Sequence, residues 1–176
     1  KDLEFAEKLL RVQNCRTDYR TGFGHDSHRF SEISKPLILG GVIIQNHKGL
    51  EANSDGDVVV HALFNALSQS IGGTSLGFYC DELCNQGITD SKEYIKLVMK
   101  ILIEKGYRLN NIGISLECAT PKIAPHVEQM KKSLSALLNI DEERIGITAT
   151  SGEGLTDFGR GLGVQCFAVV MVVNTN

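Results

Sequence analysis

Residues 53–73 read "NSDGDVVVHALFNALSQSIGG", and the fold class turns on whether this stretch is a helix or a strand. Val58, Ala62, Leu63, Ala66, Leu67 and Ile71 recur at the spacing of one helical face. Ser54 reads as the N-cap, Asp57 three residues on completes an approximate capping box, and Gly72-Gly73 ends the run. His61 follows Asp57 by four residues, so both lie on one face near the start of the helix.

Upstream of this helix, "GHDSHRF" (24–30) belongs to a strand that begins near Arg20. Residues two apart in an extended chain share a side, so Asp26 and His28 converge while His25 points away. "PLILGGVII" (36–44) holds two short apolar runs joined by Gly40-Gly41, a hairpin or a bulged strand. Downstream, residues 74–84 read as a loop. Asp90 and Glu93 open a second helix that runs through Tyr94, Leu97, Val98, Ile101 and Leu102 to Gly106. "NIGISLECA" (111–119) alternates as a strand, and Pro125 stands near the start of a helix through Val127, Met130, Leu134, Leu137 and Leu138. "RIGITAT" and "VQCFAVVMVV" are the last two strands, separated by a glycine-rich loop. This order predicts an α+β domain over 20–176, with a mainly antiparallel sheet and helices on one face. Residues 1–19 read as an appendage: a helical face of Leu3, Phe5, Ala6, Leu9 and Leu10, then a polar linker.

The bulk properties bound the function. The chain has 176 residues, 42% of them hydrophobic and 22% charged, as in ordinary globular domains. A net charge of −3 does not provide the basic surface that nucleic acid selects. No apolar run reaches the roughly 18 residues that span a bilayer, and the N-terminus is unlike a signal peptide. Five cysteines are an odd number, scattered through the chain, which argues against a disulfide framework and for a reducing compartment. Cys80 and Cys84 are four apart, but no second pair completes a zinc site.

Three clusters carry chemistry. Asp26 and His28 are too few to hold a divalent ion, and His61 is the best third ligand. An Asp-His-His set with an open position is a plausible catalytic zinc site, with Asp57 orienting His61. A core histidine behind a capping aspartate would leave the same spacing. The helix N-terminus beside it attracts anions, and Asn53 and Ser54 add donors. In "ATSGEGLTDFGRGLG" (149–163), Thr150, Ser151 and Gly152 permit close approach to a phosphate, Glu153 could share Mg²⁺ with it, and Arg160 could contact an anion. A flexible interstrand loop has the same composition. "ATPKIAPH" (119–126) is a proline-braced turn whose backbone could face a flat polar base, with Lys122 near a phosphate.

In this order and at these separations, the clusters resemble the 2-C-methyl-D-erythritol 2,4-cyclodiphosphate synthase family. "SDGDVVVHAL", the "DSH" of 26–28, "PKIAPH" (121–126) and "GRGLG" (159–163) carry the resemblance, which runs from about Arg20 to Val173. It implies a homotrimer of ferredoxin-like subunits with active sites at the subunit interfaces. The implied enzyme, a phosphorus-oxygen lyase, cyclises 4-diphosphocytidyl-2-C-methyl-D-erythritol 2-phosphate and releases CMP, in the non-mevalonate isoprenoid pathway. Asp26, His28 and His61 would bind zinc, and Glu153 would bind Mg²⁺ or Mn²⁺. Asn53 and Ser151 take the catalytic positions, while Ser54 and Asp57 line the substrate. Ser75, Leu76 and Gly77 fall at the methylerythritol end. Cys118, Ala119, Thr120, Pro121, Lys122, Ile123 and Ala124 take the cytidine end. Thr150, Gly152 and Arg160 complete the diphosphate side.

Several positions depart from the family pattern. Asn53 stands where histidine is usual, Ser75 where aspartate is, and Gly152 where threonine is. "YCD" (79–81) replaces "FPD". The N-terminal "DLEFAEKLL" resembles the closing helix of a cytidylyltransferase, so the chain could be the synthase part of a multifunctional protein. A bacterial cytoplasm, or alternatively a plastid stroma, is the expected compartment. The competing readings are a zinc phosphohydrolase and a binding trimer that has lost activity.

Overall fold

The computed structural model describes residues 17–174; the helix expected over 2–11 and Cys15 lie outside them. Six strands and four α-helices are present among the described residues. In chain order they are β1 (Tyr19–Arg29), β2 (Pro36–Leu39), β3 (Val42–Lys48), α1 (Val58–Ser70), α2 (Leu76–Asn85), α3 (Ser91–Glu104), β4 (Tyr107–Glu117), α4 (Val127–Leu138), β5 (Ile145–Thr150) and β6 (Gly163–Asn174). Four strands form one mixed sheet in the order β1-β6-β4-β5, and β2-β3 is a separate antiparallel hairpin. β6 runs antiparallel to both β1 and β4, while β5 is parallel to β4. The expected α+β class and mainly antiparallel pairing hold.

The sheet buries one face. Val164, Cys166, Ala168, Val170 and Val172 of β6 alternate inward onto the helices, beside Ile112, Ile114 and Leu116 of β4. The opposite face leaves Phe23 49% and Val169 45% exposed, with Phe167 stacked between Phe23 and His25. α1 is almost wholly buried, as its apolar stripe requires. It lies so close on β1 that a Cβ on Gly22 would sit 1.9 Å from the Ala66 carbonyl oxygen, and one on Gly24 2.0 Å from that of Ala62. Only glycine admits this approach.

Two sequence expectations are corrected. Residues 76–85 form a helix, not a loop: Leu76, Tyr79, Cys80 and Leu83 give it a face at helical spacing against the core. α1 begins at Val58 rather than just after Ser54, because Gly56 at φ +77° breaks the turn before it. Its N-cap is Asp57, whose carboxylate accepts from Val59 N (3.1 Å) and Val60 N (3.2 Å). The same buried carboxylate accepts from Gly40 N (2.9 Å) and Gly41 N (2.6 Å), tying the β2-β3 turn to the helix.

Candidate active site and metal centre

Strand direction decides where the site lies. β1, β4 and β5 all run the same way, so their C-terminal ends meet at one end of the sheet. That end gathers Asp26 and His28 from β1, the 118–124 turn after β4 and the 150–162 loop after β5. A crevice outside the carboxyl ends of strands is a common place for a ligand site.

The Gly22, Gly24, Asp26, His28 series occupies one face of β1. Its first two members let α1 approach, and its last two then meet the His61 ring. His61 Nδ1 is 2.9 Å from Asp26 Oδ2, and His28 Nε2 is 3.1 Å from the same oxygen. One ligand atom from each of the three residues lies within 4.8 Å of the others. Yet His28 Nε2 has no hydrogen-bond partner of good geometry, although it is buried. A buried, unpartnered nitrogen aimed at a carboxylate and a second imidazole fits a divalent ion, and a set of three donors leaves a coordination position open. Burial would raise the Asp26 carboxyl, but the two imidazoles outweigh it and hold the group well below the usual carboxylate range. The Asp26 carboxylate raises His28 in return, against the opposing effect of burial.

A pocket of about 220 Å³ opens above the triad. Asn53, Ser54 and Leu76 line it, whereas Ser75, the N-cap of α2, and Gly77 are not among its lining residues. Cys80, Asp81 and Cys84 of α2 and Tyr94 of α3 also line it; the loop reading of 74–84 concealed the helix face that brings the first three there. Cys84 Sγ donates to the Asn53 carbonyl at 3.5 Å. Burial pushes the Cys80 thiol up to about 12, which disfavours the thiolate a metal would need. Another cleft, about 670 Å³ between α3, α4 and β4, is larger, but among the described residues no metal-ligating cluster lines it.

The two predicted loops pack on each other. Cys118 N donates to Thr150 O (3.1 Å) and Ala119 N to Phe158 O (3.0 Å), so these amides are not free for a ligand. The Cys118 and Ile123 side chains are buried, whereas Thr120, Lys122 and Ala124 are exposed. Ser151 Oγ donates to Glu153 Oε1 at 3.1 Å, and Glu153 is held at φ +47° between two left-handed glycines, Gly152 and Gly154.

A model of the YgbB family matches residues 19–173. The chain belongs to the YgbB family. The 2-C-methyl-D-erythritol 2,4-cyclodiphosphate synthase of Chlamydia felis is 49% identical over 171 residues, covering 96% of this chain and 97% of that one. The Plasmodium falciparum IspF in its CDP complex matches with a TM-score of 0.79 at 26% identity, covering 90% of this chain and 97% of that one. The bifunctional IspDF of Campylobacter jejuni matches at 0.80 and 29% identity, covering 92% of this chain but 44% of that one. As a member of the YgbB family, the chain is an enzyme, a phosphorus-oxygen lyase of the cyclodiphosphate synthase type.

In this YgbB-family chain one predicted role needs correction. Asp57 neither orients the His61 ring nor faces the pocket; its carboxylate is taken up by four backbone N–H groups. The ring instead meets Asp26 through Nδ1, and Ser91 Oγ (2.8 Å) and Ser54 Oγ (3.2 Å) through Nε2. Arg160, read as an anion contact, braces its own loop: it donates to Leu155 O (3.2 Å) and Gly154 O (3.3 Å) and pairs with Asp157 at 2.6 Å.

Proposed function

We propose that this enzyme cyclises 4-diphosphocytidyl-2-C-methyl-D-erythritol 2-phosphate to 2-C-methyl-D-erythritol 2,4-cyclodiphosphate, in non-mevalonate isoprenoid precursor synthesis. An oxygen of the 2-phosphate bonds to the β-phosphorus, the bond from that phosphorus to the CMP oxygen breaks, and CMP departs. The observation that carries this reading is the Asp26, His28, His61 triad with its orphaned nitrogen, in a family whose curated members bear the synthase name.

Asp26, His28 and His61 would hold zinc, for which a carboxylate with two imidazoles is a suitable donor set. When bound, zinc supplies Lewis-acid polarisation of a phosphoryl oxygen. Glu153, exposed on its loop, would hold Mg²⁺ or Mn²⁺ among the diphosphate oxygens. Thr150, Ser151 and Gly152 lie beside it, where small residues allow a phosphate close to the backbone. Asn53 and Ser54 would donate to phosphate at the mouth of the pocket, and Ser75, Leu76 and Gly77 would receive the methylerythritol. Lys122 would contact phosphate from the 118–124 turn, which faces the cytidine. No protein nucleophile is needed; the chain contributes by holding the two phosphates in line.

The exposed Phe23 and Val169, with the half-buried Phe167 on the same face, support a homotrimer of ferredoxin-like subunits, with the two loop clusters completing sites across interfaces. The stretch read as an appendage over 1–19 ends earlier, because Tyr19 opens β1 and Asp18 N donates to Asn174 Oδ1; the part before them is proposed as the end of an upstream cytidylyltransferase domain, a reading supported by the similarity to a bifunctional structure. Reading the complete open reading frame checks it. A cytoplasmic location is proposed by analogy with the bacterial relatives.

Phosphorus NMR of the protein with this substrate, Zn²⁺ and Mg²⁺ tests the reaction. A cyclic diphosphate with CMP supports the synthase. Inorganic phosphate would instead mean a hydrolase, and unchanged substrate a binding protein.

A further inference from the structure

The second nitrogen of His61 is not left to solvent. His61 is 6% exposed and Ser91 fully buried, and Nε2 lies 2.8 Å from Ser91 Oγ. Ser91 is the first residue of α3, thirty residues further along the chain. Its hydroxyl donates to Asp55 Oδ1, and its backbone N–H donates to Asp55 Oδ2 at 3.0 Å. Asp55 is itself fixed, with Asp57 N on Oδ1 at 3.2 Å and its own N–H on Thr89 O at 2.9 Å.

The proton count on this chain has one solution. An ionised carboxylate only accepts, so the single Ser91 hydroxyl proton lies on the Asp55 side. Ser91 Oγ can then offer His61 nothing but a lone pair. At 2.8 Å, the His61 nitrogen facing it must be the donor. Ser54 Oγ, at 3.2 Å from the same nitrogen, could supply a proton to a bare Nε2. That arrangement would set two lone pairs against each other across the shorter Ser91 contact. Nε2 therefore carries a proton. Nδ1, 2.9 Å from Asp26 Oδ2, donates to that carboxylate when the ring is doubly protonated and is bare in the neutral ring, the form that can bind an ion on the side of Asp26 and His28.

We propose that Ser91 and Asp55 are positioning residues of the metal centre. Asp55 sets the direction of the Ser91 hydroxyl, and Ser91 holds His61 as the Nε2-protonated tautomer whose Nδ1 is free to bind the ion. Partners of this kind raise ligand basicity and fix ring orientation. The inference rests on the metal reading given under Proposed function, and it also accounts for a buried serine opening α3.

Chelator-competition titration with Zn²⁺ tests it, on the full chain and on Ser91→Ala and Asp55→Asn, each checked for native circular dichroism. Both variants should bind zinc more weakly, by roughly 10- to 100-fold. An amide at position 55 can donate to Ser91 Oγ and turn its proton toward Nε2, so Asp55→Asn should act without removing any side-chain bulk. Histidine ¹⁵N NMR of the zinc-loaded wild type provides a signature that needs no variant: the His61 proton should be on Nε2. Zinc affinity unchanged in a folded variant, or a proton on Nδ1 of the wild type, overturns the proposal. If the wild type binds no zinc, the metal reading itself fails and this inference fails with it. If the wild type binds zinc and the folded variants bind it equally well, only the inference fails.

Discussion

Gly24 and Ala62 touch backbone to backbone: a Cβ on the glycine would lie 2.0 Å from the Ala62 carbonyl oxygen. Ala62 follows His61 directly, so this contact sets the depth at which the imidazole meets Asp26. Gly24→Ala should push α1 outward, costing about 1–3 kcal/mol in urea unfolding, and should weaken metal binding with it. Gly113→Ala, where the added methyl meets nothing within 4 Å, is the control and should leave both intact.

His61→Ala removes one of three ligand atoms without disturbing the sheet. Zinc at about 100 times its dissociation constant should stabilise the wild type by about 2.7 kcal/mol. That increment should vanish in His61→Ala while the protein stays folded and loses turnover. A full zinc-dependent thermal shift in the variant would contradict the triad.

Asp57 should give stability a pH dependence of definite sign. Burial raises its carboxyl to about 6, against the opposing pull of the Gly41 and Gly40 N–H groups. Between about pH 4, where an unfolded aspartate titrates, and about 6, the native group keeps a proton that the unfolded chain has released. Its stabilisation is therefore full below pH 4 and is lost as pH rises through 6. Against the non-titrating Asp57→Asn, the wild-type advantage in unfolding free energy should shrink by on the order of 1–3 kcal/mol across that window. An advantage that grows with pH would reverse the assignment.

Asn53 lines the pocket where the family pattern has histidine. A histidine there can carry charge to a phosphate, and charged donors are roughly twice as strong as neutral ones. Asn53→His should raise kcat several-fold with little change in zinc content. A fall in kcat would show that the pocket is adapted to the amide.

The triad was legible because strand parity and helix spacing are local. Asp26 and His28 share a side of β1, His25 stacks on Phe167 on the other, and His61 sits on the helix that the glycines admit. The turn at Gly40-Gly41 was legible as a hairpin or a bulged strand, and the structure makes it a hairpin with both glycines at positive φ. What the sequence concealed was set by contacts distant along the chain. Asp57 looked like a ligand orienter until the hairpin turn claimed its carboxylate, and nothing local marks Ser91 as the partner of a histidine thirty residues earlier. α2 was hidden by its glycine-rich approach and its cysteines, although its spacing was there to be counted.

The central claim is that Asp26, His28 and His61 hold one metal ion. Crystals grown with Zn²⁺ and measured on either side of the zinc absorption edge test it most directly. The account predicts an anomalous peak bonded to Asp26, His28 Nε2 and His61 Nδ1. A zinc-saturated crystal with no peak among these three side chains would contradict it.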